Sequence, residues 1–214
     1  GMGGNLNDIF GELFQMGGMR RGHKGRQRAA HAEPVHGRDI TTDVTIDFLE
    51  AIHGASRQVR LHREGGGETL TVKIPPGVEN GSKVRIAGKG EQGQHGGLSG
   101  DLYLQVHVNP HPLFWREDSN IFCNVPITIY EAVLGANVDV PTLDGTAKMK
   151  IPAATSSGQK FRLKGKGAPI LGKKGTTGDQ YVIVQIVPPK KIDSETEEWM
   201  REWAQKHPYN PRES

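Results

Sequence analysis

The stretch GSKVRIAGKG at residues 81–90 decides the fold, because it returns as GQKFRLKGKG at residues 158–167. Both copies place a short run of alternating apolar and polar residues before a Gly-Lys-Gly triplet. An internal repeat of this kind outweighs most other sequence signals. It indicates that the chain contains two copies of one structural unit, which we call the first and the second repeat.

Further matched segments lie on both sides of this stretch and keep the same order. They are residues 40–46 with 121–127, 50–55 with 131–136, 73–75 with 150–152, and 100–103 with 178–181. The offset between the copies stays between 77 and 81 residues. This spacing is too long for one turn of a solenoid, and it predicts a duplicated domain of moderate size.

Each repeat carries the two-residue alternation of half-buried β-strands. In the first repeat the positions from Ile40 to Phe48 alternate between apolar and polar, and residues 59–62 do the same. Strands of this kind have one apolar face, which a second layer must cover, so each repeat is predicted to form a β-sandwich. The predicted fold class is all-β, with two tandem β-sandwich domains from an internal duplication plus a short C-terminal helix.

The chain is predicted to divide into four segments. They are a flexible basic linker (residues 1–38), a first β-sandwich domain (39–114), a second β-sandwich domain (115–191), and a C-terminal dimerisation helix with a tail (192–214).

Composition excludes several classes of protein. The 214 residues include 27 Lys+Arg and 24 Asp+Glu, and a net charge of +3 argues against a nucleic-acid footprint over the whole surface. The single cysteine, Cys123, excludes an internal disulfide and a cysteine-rich zinc site, and its position in a strand predicts a buried thiol. No run approaches 18 apolar residues and no signal peptide is recognisable, so we expect a cytoplasmic protein without a membrane span.

The sequence offers no catalytic constellation. The Gly-Lys-Gly triplets lack the spacing and the Ser/Thr of a phosphate-binding loop, which predicts turns instead. The duplicated Gly-Asp pairs at 100–101 and 178–179 are predicted to be turns in which the aspartate bonds nearby backbone. Asp144-Gly145-Thr146 is not the Asp-Thr-Gly of an aspartic protease, and no histidine pair has H-E-x-x-H spacing. We therefore expect no enzyme activity, no cofactor and no metal.

The C-terminal end changes from strand to helix periodicity. Ser194 stands three residues before Glu197, which is the capping-box pattern of a helix start. Trp199, Met200 and Trp203 then fall on one face of the helix. Because a short helix has no core of its own, this face is predicted to form a homodimer contact or to dock on the second domain.

Seven motifs distributed over both repeats are typical of one protein family. They are Gly77-Val78-x2-Gly81, Gly88-Lys89-Gly90, Gly100-Asp101-Leu102-Tyr103, His111-Pro112-Leu113-Phe114-Trp115-Arg116, Glu131-Ala132-x2-Gly135-Ala136, Val140-Pro141-Thr142-Leu143-Asp144-Gly145 and Gly165-Lys166-Gly167. Over residues 36–205 they resemble the C-terminal client-binding region of DnaJ-type J-domain co-chaperones. Within that family the chain is most similar to the zinc-free bacterial members of the curved-DNA-binding protein A type.

The resemblance implies an elongated arm of two β-sandwich domains that ends in a dimerisation helix. It also implies a groove on the first domain, where apolar, extended segments of unfolded polypeptides are held for transfer to a DnaK-type chaperone. Mapped by position, the groove lining would be Thr42, Val44, Val59, Leu61 and Phe114. For Val44 and Leu61 the alternative is a plain core position, and for Phe114 it is packing between the domains.

Two parts of the family pattern are missing. The His-Pro-Asp motif with which the family stimulates DnaK does not occur, so contact with DnaK would need a J domain that is absent from this chain. The four C-x-x-C-x-G-x-G repeats of the zinc-bearing members are also missing. Where that insertion would fall, this chain has only residues 63–68. The predicted function is that of a non-enzymatic co-chaperone fragment. The alternatives are a DNA-binding accessory protein and a structural dimerisation module.

The predicted linker contains a basic stretch and an apolar cluster, and each of them supports a separate hypothesis. Residues 20–38 are rich in arginine, lysine and histidine, and this basic stretch is what the DNA-binding alternative depends on. Ile9, Phe10, Leu13 and Phe14 form an apolar cluster too short for a stable helix. We hypothesise that this cluster docks in the groove as a stand-in client.

Overall fold

The computed structural model describes residues 33–63 and 66–213, so residues 1–32 of the predicted linker lie outside the described residues. They include the apolar cluster at residues 9–14 and the larger part of the basic stretch. The first repeat contains β1 (Ile40–Ile46), α1 (Phe48–His53), β2 (Ala55–Arg63), β3 (Gly66–Ile74), β4 (Lys83–Ile86) and β5 (Leu102–Val108). After β6 (Phe114–Glu117), the second repeat contains β7 (Asn120–Ile127), α2 (Ile129–Leu134), β8 (Ala136–Thr142), β9 (Gly145–Ile151), β10 (Lys160–Leu163) and β11 (Gln180–Ile186). The last element is α3 (Ser194–Lys206).

The two repeats have the same sheet topology. In the first, β5 lies between a parallel β1 and an antiparallel β4, and β2 pairs with β3 in a separate hairpin. In the second, β11 lies between β7 and β10 in the same orientations, and β8 pairs with β9. The register is also shared, because Ile40 lies opposite Leu102 and Ile121 lies opposite Gln180. The predicted all-β fold class is confirmed.

Two hydrophobic clusters form the core of the described structure. The first is built from β1, β2, β3 and β5, and includes Ile46, Val72 and Leu104. The second is built around β7, β8, β9 and β11, and it also takes in Phe48 and Ile52 from α1. The two repeats therefore share buried surface, while the predicted domain boundaries after residues 114 and 191 stay predictions.

The expected strand from Ile40 to Phe48 is wrong at its end, because β1 stops at Ile46 and α1 begins at Phe48. Asp47 is the N-cap of α1, and its backbone N–H donates to Glu50 Oε2 at 2.9 Å. This is one half of a capping box, which starts a helix where the two-residue alternation alone predicts more strand. Because the chain turns from β1 into α1, the Phe48 side chain packs in the second cluster.

A second short helix, α2, was also absent from the predicted fold. Thr128 and Glu131 form its capping box: the Thr128 N–H donates to Glu131 Oε2 at 2.7 Å, and the Glu131 N–H donates to Thr128 Oγ1 at 3.2 Å. Gly54 and Gly135 follow α1 and α2 at φ values of 81° and 82°. A residue with a side chain would be strained at such angles, so both helices end where glycine allows it.

The Gly-Lys-Gly triplets are turns, as predicted, and the duplicated aspartates hold them. Asp101 Oδ1 accepts from the Gly88 N–H at 2.8 Å, and Asp179 Oδ1 accepts from the Gly165 N–H at 2.7 Å. The pKa of Asp101 lies below its ordinary value, because the Gly88 amide and the Arg85 guanidinium both stabilise the carboxylate. The repeated aspartates thus bond backbone, as predicted, but the predicted turns at residues 100–101 and 178–179 are wrong, because these residues form no turn and the bonded amides lie 13 and 14 residues away in the chain.

The predicted C-terminal helix is present as α3, but its start lies one residue earlier than the capping-box pattern indicated. Asp193, and not Ser194, is the N-cap, and its Oδ1 accepts from the Thr196 N–H at 2.7 Å. Hydrogen bonds from Thr196 hold the pKa of Asp193 below its ordinary value. No residue of α3 is buried. Among the described residues, no helix has the length and apolar character needed to cross a bilayer.

Candidate peptide-binding site

Strand β1 has an apolar inner face and a polar outer face. Val44 and Ile46 are buried in the first cluster, and Ile40 packs at its margin. Thr42 lies between Ile40 and Val44 on the same face and is half-buried. Strand alternation sends Thr41 to the opposite face, where it is exposed.

The β2–β3 hairpin completes the first cluster. Val59 and Leu61 on β2 are buried with Val44. Leu70 lies opposite Val59 on β3, packs against the cluster and stays partly exposed. Four of the five predicted residues thus belong together, with Thr42 half-buried and the other three inside the core.

Three half-buried residues, Ile40, Thr42 and Leu70, lie at the edge of this core, and we call them the rim. These side chains expose more surface than Val44 and Leu61, which are 8% and 2% exposed. Sequence reasoning did not single out Ile40 and Leu70 as binding residues. Their signal was their place as the first apolar residue of an alternating run, Ile40 in β1 and Leu70 in β3.

Phe114, the fifth predicted residue, lies in the other cluster. It is buried on β6, opposite Cys123 of β7. Its ring centroid lies 6.4 Å from that of Phe48 and 5.0 Å from that of His111. His111 Nδ1 accepts from the backbone N–H groups of Leu113 and Phe114, at 3.1 and 3.3 Å. The His-Pro-Leu-Phe motif is therefore a turn that delivers Phe114 to the second repeat.

Arg116 ties β6 to the first repeat, and sequence reasoning missed this role. Its guanidinium donates to the carbonyl oxygens of Val78 at 2.8 Å and Gly77 at 3.0 Å, and pairs with Glu79 at 3.1 Å. Burial lowers the pKa of Arg116, and the Glu79 carboxylate opposes that shift. The only sequence signal was the place of Arg116 at the end of the motif that begins with His111.

A cleft of about 470 Å³ opens beside this arginine. Its walls come from α1, from residues 78–80, and from the segment that runs from Val108 through β6. Of the five predicted peptide-binding residues, Phe114 is the one that lines it. The cleft and the rim are therefore separate features of the described structure.

Comparison with known proteins assigns this architecture to a family. The family described as the DnaJ C terminal domain matches residues 40–189, which run from the first residue of β1 to just beyond β11. The chain belongs to the DnaJ C-terminal domain family. The resemblance drawn from the sequence motifs is confirmed.

Curated relatives of this DnaJ C-terminal domain carry a common name. "Chaperone protein DnaJ" of Bacillus mycoides (strain KBAB4) is 51% identical over 135 residues, which cover 63% of this chain and 36% of the relative. The proteins of the same name from Bacillus cytotoxicus and Bacillus cereus (strain 03BB102) are each 50% identical over 135 residues, or 63% of this chain and 37% and 36% of theirs. The match therefore spans little more than a third of the length of these relatives.

The outer face of β1 in this DnaJ C-terminal domain is acidic. Asp43 is exposed, and its Oδ1 lies 2.7 Å from His107 Nε2 on β5. Asp39, just before β1, is also exposed, and its Oδ1 accepts from the Asp101 N–H at 2.7 Å. One face of the strand is thus apolar and partly open, and the other carries negative charge.

The interior of the DnaJ C-terminal domain has one ionisable thiol. Cys123 is buried, as predicted, and burial raises its pKa, while a hydrogen bond from the Gln180 amide at 3.3 Å opposes the shift. Within residues 33–63 and 66–213, no group of three or more His, Cys, Asp and Glu side chains could hold a metal ion. The expectation of a protein without metal or cofactor stays a prediction.

Proposed function

We propose that this chain is the client-binding part of a DnaJ-type co-chaperone and holds extended apolar segments of unfolded polypeptides against the rim. Membership of the DnaJ C-terminal domain family and the chaperone name of the relatives support the proposal. The observation that carries it is the rim itself, where Ile40 and Leu70 expose apolar surface above a fully formed core. The client would then pass to a DnaK-type chaperone in the cytoplasm, and the chain would catalyse no reaction of its own.

The available apolar surface suits weak, reversible holding. Two or three client side chains at about 1.5–3 kcal/mol each must offset an association cost of about 4 kcal/mol or more. The balance gives dissociation constants on the order of micromolar to millimolar. Affinity of this order lets a co-chaperone release its client again.

The test compares two aspartate substitutions at neighbouring positions of β1. Thr42→Asp adds a carboxylate to the rim, whereas Thr41→Asp adds the same group to the exposed opposite face. Binding of a fluorescein-labelled apolar peptide is followed by fluorescence anisotropy, and circular dichroism confirms that both variants fold. We expect Thr42→Asp to weaken binding about tenfold or more, because one client side chain loses its apolar contact. Thr41→Asp should bind like the parent protein.

Two results would contradict the proposal. Equal affinities of the two folded variants would place the client site away from β1. Absence of binding to the parent protein would favour a structural dimerisation module.

We further propose that α3 forms the contact of a homodimer. Trp199 is 61% exposed, and Met200 and Trp203 are each 39% exposed. A helix with two exposed tryptophans and no buried residue is an apolar surface that lacks cover within the described chain. Two client sites in one dimer would raise the overall affinity for long clients without any new contact.

A further inference from the structure

The cleft beside Arg116 has an apolar floor. Phe48, Ala51 and Ile52 of α1 line it together with Phe114 of β6, and all four side chains are buried. Its volume of about 470 Å³ lies within the range of ligand pockets in proteins, about 300–1,000 Å³. The floor therefore offers apolar cover to a bulky group that enters from solvent.

The polar residues around this floor carry more negative than positive charge. Glu79 and Asp118 line the cleft and are both exposed, and Asn109 of its wall donates to Asp47 Oδ1 at 3.0 Å. Among the described residues that line the cleft, Arg116 is the only lysine or arginine. Three backbone carbonyl oxygens and the Glu79 carboxylate already bond its guanidinium. A ligand with a positive charge is therefore favoured over one with a negative charge.

The equivalent surface of the second repeat lacks this polar character. Ser156 stands in the position of Glu79, and Val187 stands in that of Asn109. The match is structural as well, because the Asn109 and Val187 amides donate to the last residues of β1 and β7, each at 2.9 Å. The acidic groups thus belong to the junction between the repeats and are not a consequence of the duplicated fold.

His111 adds a hydrogen-bond donor to the wall of the cleft. Its Nδ1 accepts from the backbone amides of Leu113 and Phe114, so the proton of the neutral imidazole is on Nε2. Within residues 33–63 and 66–213, this Nε2–H has no hydrogen-bond partner. A peptide carbonyl group next to a side chain in the cleft could accept this hydrogen bond.

We propose that this cleft binds one bulky apolar side chain of a polypeptide that has a lysine or arginine next to it, with the cation facing Glu79 and Asp118. The inference rests on the proposed client-binding function, and adds a second subsite with its own chemical preference. An aromatic side chain fits best, because the rings of Phe48, His111 and Phe114 lie together at the cleft and aromatic pairs attract one another beyond the effect of burial.

The probes are two tripeptides capped at both ends. One is lysine–fluorophenylalanine–lysine and the other is glutamate–fluorophenylalanine–glutamate, so they share the aromatic ring and differ in the flanking charge. Fluorine NMR titrations with the full chain measure both affinities. We expect a dissociation constant on the order of millimolar for the lysine tripeptide, and an affinity about fivefold or more lower for the glutamate tripeptide.

Filling the cleft tests its location. Ala51→Leu extends a side chain of the floor and should weaken binding of the lysine tripeptide about fivefold or more, because the aromatic ring loses its space. Ala132→Leu is the matched control, because Ala132 is the buried counterpart of Ala51 in α2 and does not line the cleft. Circular dichroism confirms that both variants fold.

Removing one charge tests the preference for a cation. Asp118 has a φ of 54°, which asparagine tolerates, so Asp118→Asn should keep the fold and reduce the preference for the lysine tripeptide about twofold or more. Asp144→Asn is the matched control, because Asp144 is an exposed acid in the turn between β8 and β9. It should keep the preference of the parent protein. If Ala51→Leu does not fold, this pair of variants decides.

The cleft as a subsite is overturned if the parent protein does not bind the lysine tripeptide or binds both tripeptides equally. It is also overturned if the folded leucine variants bind the lysine tripeptide alike, or if the two asparagine variants show the same preference. In each of these cases the proposed client-binding function stands as long as the apolar peptide distinguishes Thr42→Asp from Thr41→Asp, because that difference depends on the rim. Equal binding of the apolar peptide by these two threonine variants would contradict the rim alone.

Discussion

Replacing Arg116 by methionine should destabilise the described structure, because Arg116 joins the two repeats. The substitution keeps most of the side-chain volume and removes the guanidinium group. The carbonyl oxygens of Gly77 and Val78 then lose their donor, and Glu79 loses its counter-ion. Only 12% of the Arg116 side chain is exposed, so water replaces these bonds only in part.

The magnitude follows from the number of bonds lost. A hydrogen bond from a charged donor contributes about 1.5–3 kcal/mol, so the two carbonyl bonds to the first repeat together contribute about 3–6 kcal/mol. The guanidinium also donates to the carbonyl oxygen of Asp118, but this bond is exposed and adds little. Water that enters from the adjacent cleft recovers part of this, and the pair with the mostly exposed Glu79 adds less than about 1 kcal/mol. We expect a net loss of about 3 kcal/mol, which for a chain of this size lowers Tm by about 6–12 °C.

Thermal unfolding followed by circular dichroism measures the effect. Arg162→Met is the matched control, because the Arg162 side chain is 60% exposed and lies 3.7 Å from Asp179. A pair of that kind is worth less than about 1 kcal/mol, so Tm should fall by at most about 4 °C. If Arg116→Met and Arg162→Met lower Tm by the same small amount, the bonds between the repeats do not stabilise the fold and the reasoning is refuted.

Three further predictions follow from the geometry. Gly167→Ala should lower Tm by several degrees, because the new Cβ would lie 2.4 Å from the carbonyl carbon of Gly178. An unchanged Tm would show that the turn adapts to the methyl group without strain. Asp101 has a lowered pKa in the folded protein, so its contribution to stability is complete above about pH 4 and disappears as the pH falls through that lowered pKa. Urea midpoints of the parent and of Asp101→Asn should therefore differ at neutral pH and converge in acid, and a gap that is constant with pH would contradict this. The combined change Trp199→Ser and Trp203→Ser should yield a folded monomer in sedimentation velocity, whereas a mass equal to that of the parent protein would reject α3 as a dimer contact.

The architecture could be predicted from sequence because two independent signals agree. The repeat at residues 81–90 and 158–167 indicates a duplication, and the alternation in each repeat indicates strands with one apolar face. Neither signal depends on contacts between distant residues. The same alternation placed Val44, Val59 and Leu61 on common faces, and the structure brings them into one cluster.

Local signals were present where the prediction of secondary structure was wrong. Asp47-x-x-Glu50 and Thr128-x-x-Glu131 are capping-box patterns, and each precedes a short helix. The apolar Phe48 fits both the strand alternation and the helix, so the hydrophobic periodicity alone does not show where β1 ends and α1 begins. The sequence signal for the helix start is the cap residue followed three positions later by glutamate.

The contacts of Phe114 and Arg116 could not be predicted in the same way. Both residues lie on one four-residue strand, yet Phe114 packs into the second cluster while Arg116 bonds to carbonyl groups of the first repeat. Backbone carbonyls carry no sequence signature, because every residue has one. Only the tertiary arrangement shows that β6 is the connection between the repeats.

No strand within residues 33–63 and 66–213 pairs with the outer edge of β1, and Asp39 and Asp43 lie along this edge. An unpaired strand edge is a template for any other strand, including the same edge of a second molecule. Antiparallel pairing of two β1 edges would bring aspartates of both chains onto one side of the joint sheet, because Asp39 and Asp43 lie on the outer face of each. Their repulsion disfavours that pairing. The two aspartates thus protect this edge against self-association, and the neutral Asn120 and Asn124 stand at the equivalent positions of β7, where β6 already pairs with the edge.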